Sequence, residues 1–227
     1  MKLFKYMIVV SSVSLGSVFA QSLPADAARS EWAPFQISLF DPVQMHPAEV
    51  SVYGLRLNVL YGNNTEVTGL DLGLMNRTAK GNTGLQLGMI NITEGDVAGG
   101  QLGLLNWTAG NVVGAQEGGI NYTAGNLTGG QASYLLGWID GDLTGVQAGF
   151  ATYCRGSVNG GQIGGLNCSE SLNGIQIGAI NRVKSGTGLM IGIVNWADQL
   201  DGLQIGLINI LGNSSISPVL PIINAEF

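Results

Sequence analysis

The chain has 227 residues, 36 of them glycine, with 45 % hydrophobic and 11 % charged residues and a formal net charge of −6 at pH 7. The charged fraction is under half the ~25 % of an ordinary soluble domain, and an acidic, lysine-poor chain cannot neutralise phosphates, which argues against nucleic acid as a partner. Beyond the N-terminal segment, no apolar run approaches the ~18 residues of a membrane helix, so helical spanning is excluded.

Residues 1–20 read as a secretory signal peptide. Lys2 and Lys5 give a positive start, Met7 to Phe19 is apolar with small residues, and Val18-Phe19-Ala20 offers a small-residue cleavage site before Gln21. The expectation is an exported protein of the cell surface, outer membrane or periplasm. No cysteine lies near the cleavage site, so a lipid anchor on a new N-terminal cysteine is not expected. Residues 21–50 carry Pro24, Pro34, Pro42 and Pro47 and no repeat. They form a lead-in whose apolar stretch, Pro34 to Phe40, is expected to be a strand capping the open end of a downstream array.

From residue 51 to 211 one phrase recurs with consensus GxQxGxxN. Its sharpest copies are GLQLGMIN (Gly84 to Asn91), GGQLGLLN (Gly99 to Asn106), GIQIGAIN (Gly174 to Asn181) and GLQIGLIN (Gly202 to Asn209). Leading glycines fall at Gly54, Gly69, Gly84, Gly99, Gly114, Gly129, Gly145, Gly160, Gly174, Gly188 and Gly202, in steps of 14 to 16 residues. A period this regular marks a repeat architecture. Two copies depart from the consensus: after Gly129, Ser133 and Leu136 stand for the second Gly and the Asn, and after Gly145, Thr152 stands for the Asn. Residues 212–227 are a C-terminal cap or tail.

Within each copy the alternation is that of extended chain, with Leu85, Leu87 and Met89 on one side and Gln86, Gly88 and Ile90 on the other. The apolar side is expected to face the core, which places Leu87, Leu104, Ile177 and Ile205 inward and makes Ile177→Asp destabilising. A second apolar position lies two residues before the next glycine (Val67, Val97, Val112, Leu127, Leu143, Val158, Leu172, Leu200) and marks a short second strand. Gly with Asn or Asp punctuates the bends between, as in Glu94-Gly95-Asp96 and Asp140-Gly141-Asp142. The fold expected is all-β, a parallel β-solenoid of about eleven coils, one per copy. The alternative is an up-and-down outer-membrane β-barrel, disfavoured because its connections would alternate in length whereas these are nearly uniform.

Stacking would align Gln86, Gln101, Gln116 and their equivalents in one amide ladder and Asn76, Asn91, Asn106 and theirs in another. The residue after each Asn gives an aromatic column, Trp107, Tyr122, Trp138 and Tyr153 with Trp196 beyond, which is the candidate binding platform for a cell-wall glycan or protein partner; mutual stacking of the rings is the competing structural role. Thr78, Thr93, Thr108 and Thr123 come next along the chain, too few for an ice-binding face. The triplets at Asn76, Asn91, Asn106 and Asn121 match a glycosylation acceptor but are explained by the repeat. Acidic bends holding Glu94 and Asp96, or Asp140 and Asp142, supply fewer oxygens than calcium takes, and turn chemistry accounts for them, so no metal or other cofactor is expected.

The two cysteines, Cys154 and Cys168, each lie six residues before a leading glycine. That count puts them in one column, within reach of a disulfide between neighbouring coils, whereas a forward count offsets them by one residue. Enzyme chemistry has little footing: the single histidine, His46, sits in the lead-in with no nucleophile constellation around it.

Over residues 54–209, about seventy percent of the chain, the phrases GLQLGMIN, GIQIGAIN and GLQIGLIN resemble a family of bacterial surface repeat proteins predicted to be exported. The resemblance implies an exported, surface-associated repeat protein and carries no activity with it. The function expected is a non-catalytic structural or binding module open to membrane association, with an outer-membrane β-barrel protein as the alternative and a carbohydrate-active enzyme as the remoter one.

Overall fold

The computed structural model describes residues 32–227, so the signal-peptide reading of residues 1–20 and the first part of the lead-in lie outside the described residues. The elements are β1 (Trp32–Phe40), β2 (Val43–Gln44), β3 (Ser51–Leu87), β4 (Ile90–Thr93), β5 (Asp96–Thr108), β6 (Val112–Thr123), β7 (Leu127–Ile139), β8 (Leu143–Leu211) and β9 (Val219–Glu226). They form one sheet in the order β2-β1-β3-β4-β5-β6-β7-β8-β9. The longest elements wrap through several turns of a coil.

From β1 against β3 to β7 against β8 every pairing is parallel. The fold is therefore a parallel β-solenoid. An up-and-down barrel needs antiparallel neighbours throughout and is excluded. Equivalent residues sit one above another: Gly84, Gly99, Gly114 and Gly129 pair in series, and so do Gln86, Gln101, Gln116 and Gln131. Each leading glycine has φ between 124° and 155°. At that corner an L side chain meets two obstacles, the left-handed backbone and the rung below. A Cβ on Gly114 would lie 1.9 Å from the carbonyl oxygen of Gly99.

Both ends of the stack reverse direction. β2 pairs antiparallel with β1, and β9 pairs antiparallel with the last rung, Gly202 to Ile210. β1 itself is a parallel first rung, so Trp32–Phe40 covers the open edge of β3.

The interior overturns the expected facing of the main strand. Gln86 and Asn91 are fully buried, while Leu104 is 61 % exposed, Ile177 and Ile205 are each 37 % exposed, and Leu87 is half-exposed. The alternation is right but its sides are exchanged: amides point in and aliphatic groups point out. Burial costs most of these amides little because they are paired one rung away. Gln101, Gln116, Gln131, Gln147, Gln162 and Gln176 each donate Nε2 to Oε1 of the preceding glutamine at 2.7–2.8 Å. The asparagines run the other way. Asn76, Asn91 and Asn106, then Asn167, Asn181 and Asn195, donate Nδ2 to Oδ1 of the following asparagine at 2.7–2.9 Å.

The glutamine ladder ends at Asp71, whose Oδ2 accepts from Gln86 at 2.9 Å. Arg56, one rung further, donates Nε and Nη2 to the two oxygens of Asp71 at 2.7 and 2.6 Å, both side chains being fully buried. The expected second column supplies the apolar core: Val97, Val112, Leu127, Leu143, Val158, Leu172 and Leu200 form one buried cluster with Ile139, Cys154, Val183, Met190, Ala197 and Leu211.

In the first irregular copy a bulge between Ser133 and Leu136 sets Gly137, not Leu136, opposite Asn121. The Ser133 hydroxyl takes over, accepting from Asn121 Nδ2 at 2.7 Å. In the next copy Thr152 donates to Asn167 Oδ1 at 2.7 Å and restarts the ladder.

Candidate functional site

The aromatic column exists as the sequence suggests. Ile92, Trp107, Tyr122, Trp138 and Tyr153 are register partners in successive rungs. The Trp107 and Tyr122 rings stack at 6.2 Å and 13°, and those of Trp138 and Tyr153 at 4.3 Å and 35°. Within each pair, faces are turned onto the adjacent rung rather than outward. Polar atoms of the column are also engaged. Tyr122 Oη donates to Asp140 Oδ2 at 2.6 Å and Trp138 Nε1 to Asp140 Oδ1 at 3.0 Å. Burial, reinforced by that hydrogen bond to the Asp140 carboxylate, pushes the Tyr122 hydroxyl up to about 12. Trp196 stands apart with its own partners, Asp198 and the Arg182 guanidinium 4.9 Å from the ring centroid. This is the geometry of mutual stabilisation, worth roughly 0.5–1.5 kcal/mol per aromatic pair.

The bends show what the acidic and amide residues do there. Asp96 Oδ1 accepts from the Asn111 backbone N–H, Asn111 Oδ1 from that of Asn126, Asn126 Oδ1 from that of Asp142, and Asp142 Oδ1 from that of Ser157, at 2.6–2.9 Å. Each side chain caps the bend of the rung above. Among the described residues no group of three or more His, Cys, Asp or Glu side chains is placed to hold a metal. Asn76, Asn91, Asn106 and Asn121 are fully buried, closed to glycosylation in the folded chain, and Thr78, Thr93, Thr108 and Thr123 are buried beside the glutamine ladder. His46 is tied through its backbone to the Gln36 side chain, at 2.8 Å in both directions.

The expected disulfide is absent. Cys154 and Cys168 are free thiols, one buried and one half-buried. Cys154 is the register partner of Ile139, in the inward column, whereas Cys168 follows Asn167 as Tyr153 follows Thr152, in the outward column. The forward count was the correct one, and neighbouring columns of a strand point to opposite sides.

What sequence reasoning missed is the outer surface of the main strand. Its outward positions carry Leu85, Leu102, Val146, Ile163, Ile177 and Ile205 on the flat strand and Leu74, Met89, Leu104, Tyr134, Phe150, Ile193 and Leu207 along the corner beyond it, all exposed. From Leu55 to Ile208 these outward positions hold one charged residue, Glu117, whose Oε1 accepts the Tyr134 hydroxyl at 3.1 Å. Arg77, Glu94, Asp140, Arg155, Glu170 and Lys184 gather elsewhere on the coil, in ion pairs Arg77–Glu94, Arg155–Asp140 and Lys184–Glu170. A signal was present: outward positions vary among Gly, Ala, Leu, Ile and Glu117, which a close-packed interior would not accept, while the inward position repeats Gln.

A rung spacing of about 4.8 Å over eleven copies and about 3.3 Å per residue across six positions make this face roughly 50 by 20 Å. That is about 1,000 Å², beyond the ~300–600 Å² of the largest apolar patch on a typical monomer. Comparison with protein-family models, curated proteins and solved structures finds no match.

Proposed function

We propose that the chain is an exported, non-catalytic repeat protein of the cell envelope, a structural and binding module that works through its apolar face. The observation that carries this reading is the segregation of charge: the exposed ion pairs lie off the main strand, whose outward positions bear a single charged group, the Glu117 carboxylate. Apolar surface this extensive is costly in water unless something covers it. The aromatic column contributes rigidity along the rod, since its rings stack in pairs across rungs and Asp140 binds both the Tyr122 hydroxyl and the Trp138 indole N–H.

The test replaces Leu104, Ile193 and Leu207, all exposed, by glutamine. The triple variant is expected to keep its melting temperature and to move from the envelope fraction to the soluble fraction on cell fractionation. Trp107→Ala with Trp138→Ala should lower the melting temperature and leave fractionation unchanged. Retention of the triple variant in the envelope would sink the apolar-face reading, and release by the tryptophan pair at full stability would return the role to the column.

A further inference from the structure

The apolar face carries both large and vacant positions along one row. Corner residues in successive copies are Val59, Leu74, Met89, Leu104, Gly119, Tyr134, Phe150, Gly165 and Ala179. Large side chains rise on both sides of Gly119, which has none. A depression of about 360 Å³ lies on one flank of Gly119, floored by Gly88, Gly103 and Gly118 and walled by Met89, Leu104 and Tyr134. On the other flank stand two projecting aromatics, Tyr134 at 71 % and Phe150 at 64 % exposure. Tyr134 thus edges the depression, and Phe150 stands one rung beyond it on the same face.

We propose that this face pairs with the same face of a second copy around a twofold axis near Gly119, Tyr134 and Phe150 of each chain packing against Leu104 and Met89 of the other. A twofold contact must be self-complementary, residue i meeting j while j meets i. Reversal about Gly119 sets Tyr134 opposite Leu104 and Phe150 opposite Met89, an aromatic–thioether contact. It also sets the large Leu74 opposite Gly165 and Val59 opposite Ala179. The two arrays have the same rung spacing, so the match holds along the rod instead of drifting out of step.

Area and charge select this occupant over a bilayer. A twofold at the fifth copy covers nine of the eleven, roughly 860 Å² per chain, which matches the ~800 Å² per partner of a stable interface. Peripheral attachment to anionic lipid draws on lysine and arginine around the apolar surface; this strand has none facing outward, and the chain carries a net charge of −6. The inference rests on the apolar face being the working surface and adds what covers it.

Sedimentation equilibrium of the purified protein tests it, with Phe150→Glu and Glu117→Gln alongside. The wild type should be a dimer. Phe150→Glu should raise the dissociation constant at least about thirtyfold, as expected for loss of one buried anchor, with an unchanged circular dichroism spectrum because the residue is exposed in the monomer. Glu117→Gln should lower it, since the dimer brings two Glu117 carboxylates toward one axis. A monomeric wild type, a dimer indifferent to Phe150→Glu, or flotation of the wild type with neutral phosphatidylcholine vesicles would each overturn the proposal. If the wild type is monomeric while the glutamine triple variant still leaves the envelope fraction, the dimer falls and the proposed function stands; if that variant stays in the envelope, both fall.

Discussion

Two interior residues sit in columns of the opposite chemistry. Asn82 pairs in register with Val97, in the column of Val67 and Val112, and neither Nδ2 nor Oδ1 of its buried amide finds a partner. Met190 interrupts the glutamine ladder: Gln204 Nε2 reaches only its sulfur, at 3.6 Å, within that column, and Oε1 of Gln176 has no donor. An unpaired buried amide costs about 1–3 kcal/mol. Asn82→Val and Met190→Gln are therefore both expected to stabilise the protein, by about 1 kcal/mol or more each, in urea denaturation. Loss of stability in either would show that its column tolerates no exchange. The Cys154 thiol gives a further residue-scale expectation. Burial pushes it up from 9.0 to about 11. The unfolded chain thus ionises at this thiol first, so its contribution to stability is complete below pH 9 and is lost as the pH rises from 9 to 11. Cys154→Ala should flatten that alkaline decline in a series of melting temperatures. In the native state iodoacetamide should label Cys168 and leave Cys154 untouched until unfolding.

At the level of the strand and its corners, the glycines divide into those the coil requires and those it merely contains. Gly114→Ala places a Cβ 1.9 Å from the Gly99 carbonyl oxygen at φ 135° and should cost several kcal/mol. Gly130 has nothing within 4 Å of the same built atom. Gly130→Ala should be neutral or stabilising by roughly 0.5 kcal/mol, because alanine restricts the unfolded chain. Comparable losses at the two sites would refute the stacked-corner geometry. The period of glycines and the period-two alternation were legible in the sequence, and so were the aromatic column and the apolar second column ending in Val97 or Leu143. The direction of the main strand was not. Leu104 and Ile177 read as core on hydropathy alone, since a single strand carries no sign that its buried amides will be paired by the next copy. Cys154 and Cys168 failed for a related reason: a shift of one residue in a 14-residue copy exchanges inside for outside, and spacing locates the shift no better than to one residue.

Over the whole rod, the ends decide whether rungs stop or continue. β9 covers the final edge, Gly202 to Ile210, in antiparallel pairing. Removing residues 213–227 would leave that edge open beside exposed Leu207 and Ile208, a template for another chain. The truncated protein is expected to form concentration-dependent higher oligomers by light scattering while keeping its β-type circular dichroism spectrum. Solubility equal to that of the full chain would mean that the edge needs no cover.

The opposed directions of the two amide ladders reach further than local pairing. Aligned amide dipoles add, and a single column of them would build up a potential between the tips that grows with every copy. Here the glutamines point their N–H groups toward the first rung and the asparagines toward the last, so each copy adds two contributions of opposite sign. The rod is in this sense electrically indifferent to its own length. A copy can be duplicated or lost without charging the ends, which leaves the number of rungs free of any electrostatic limit.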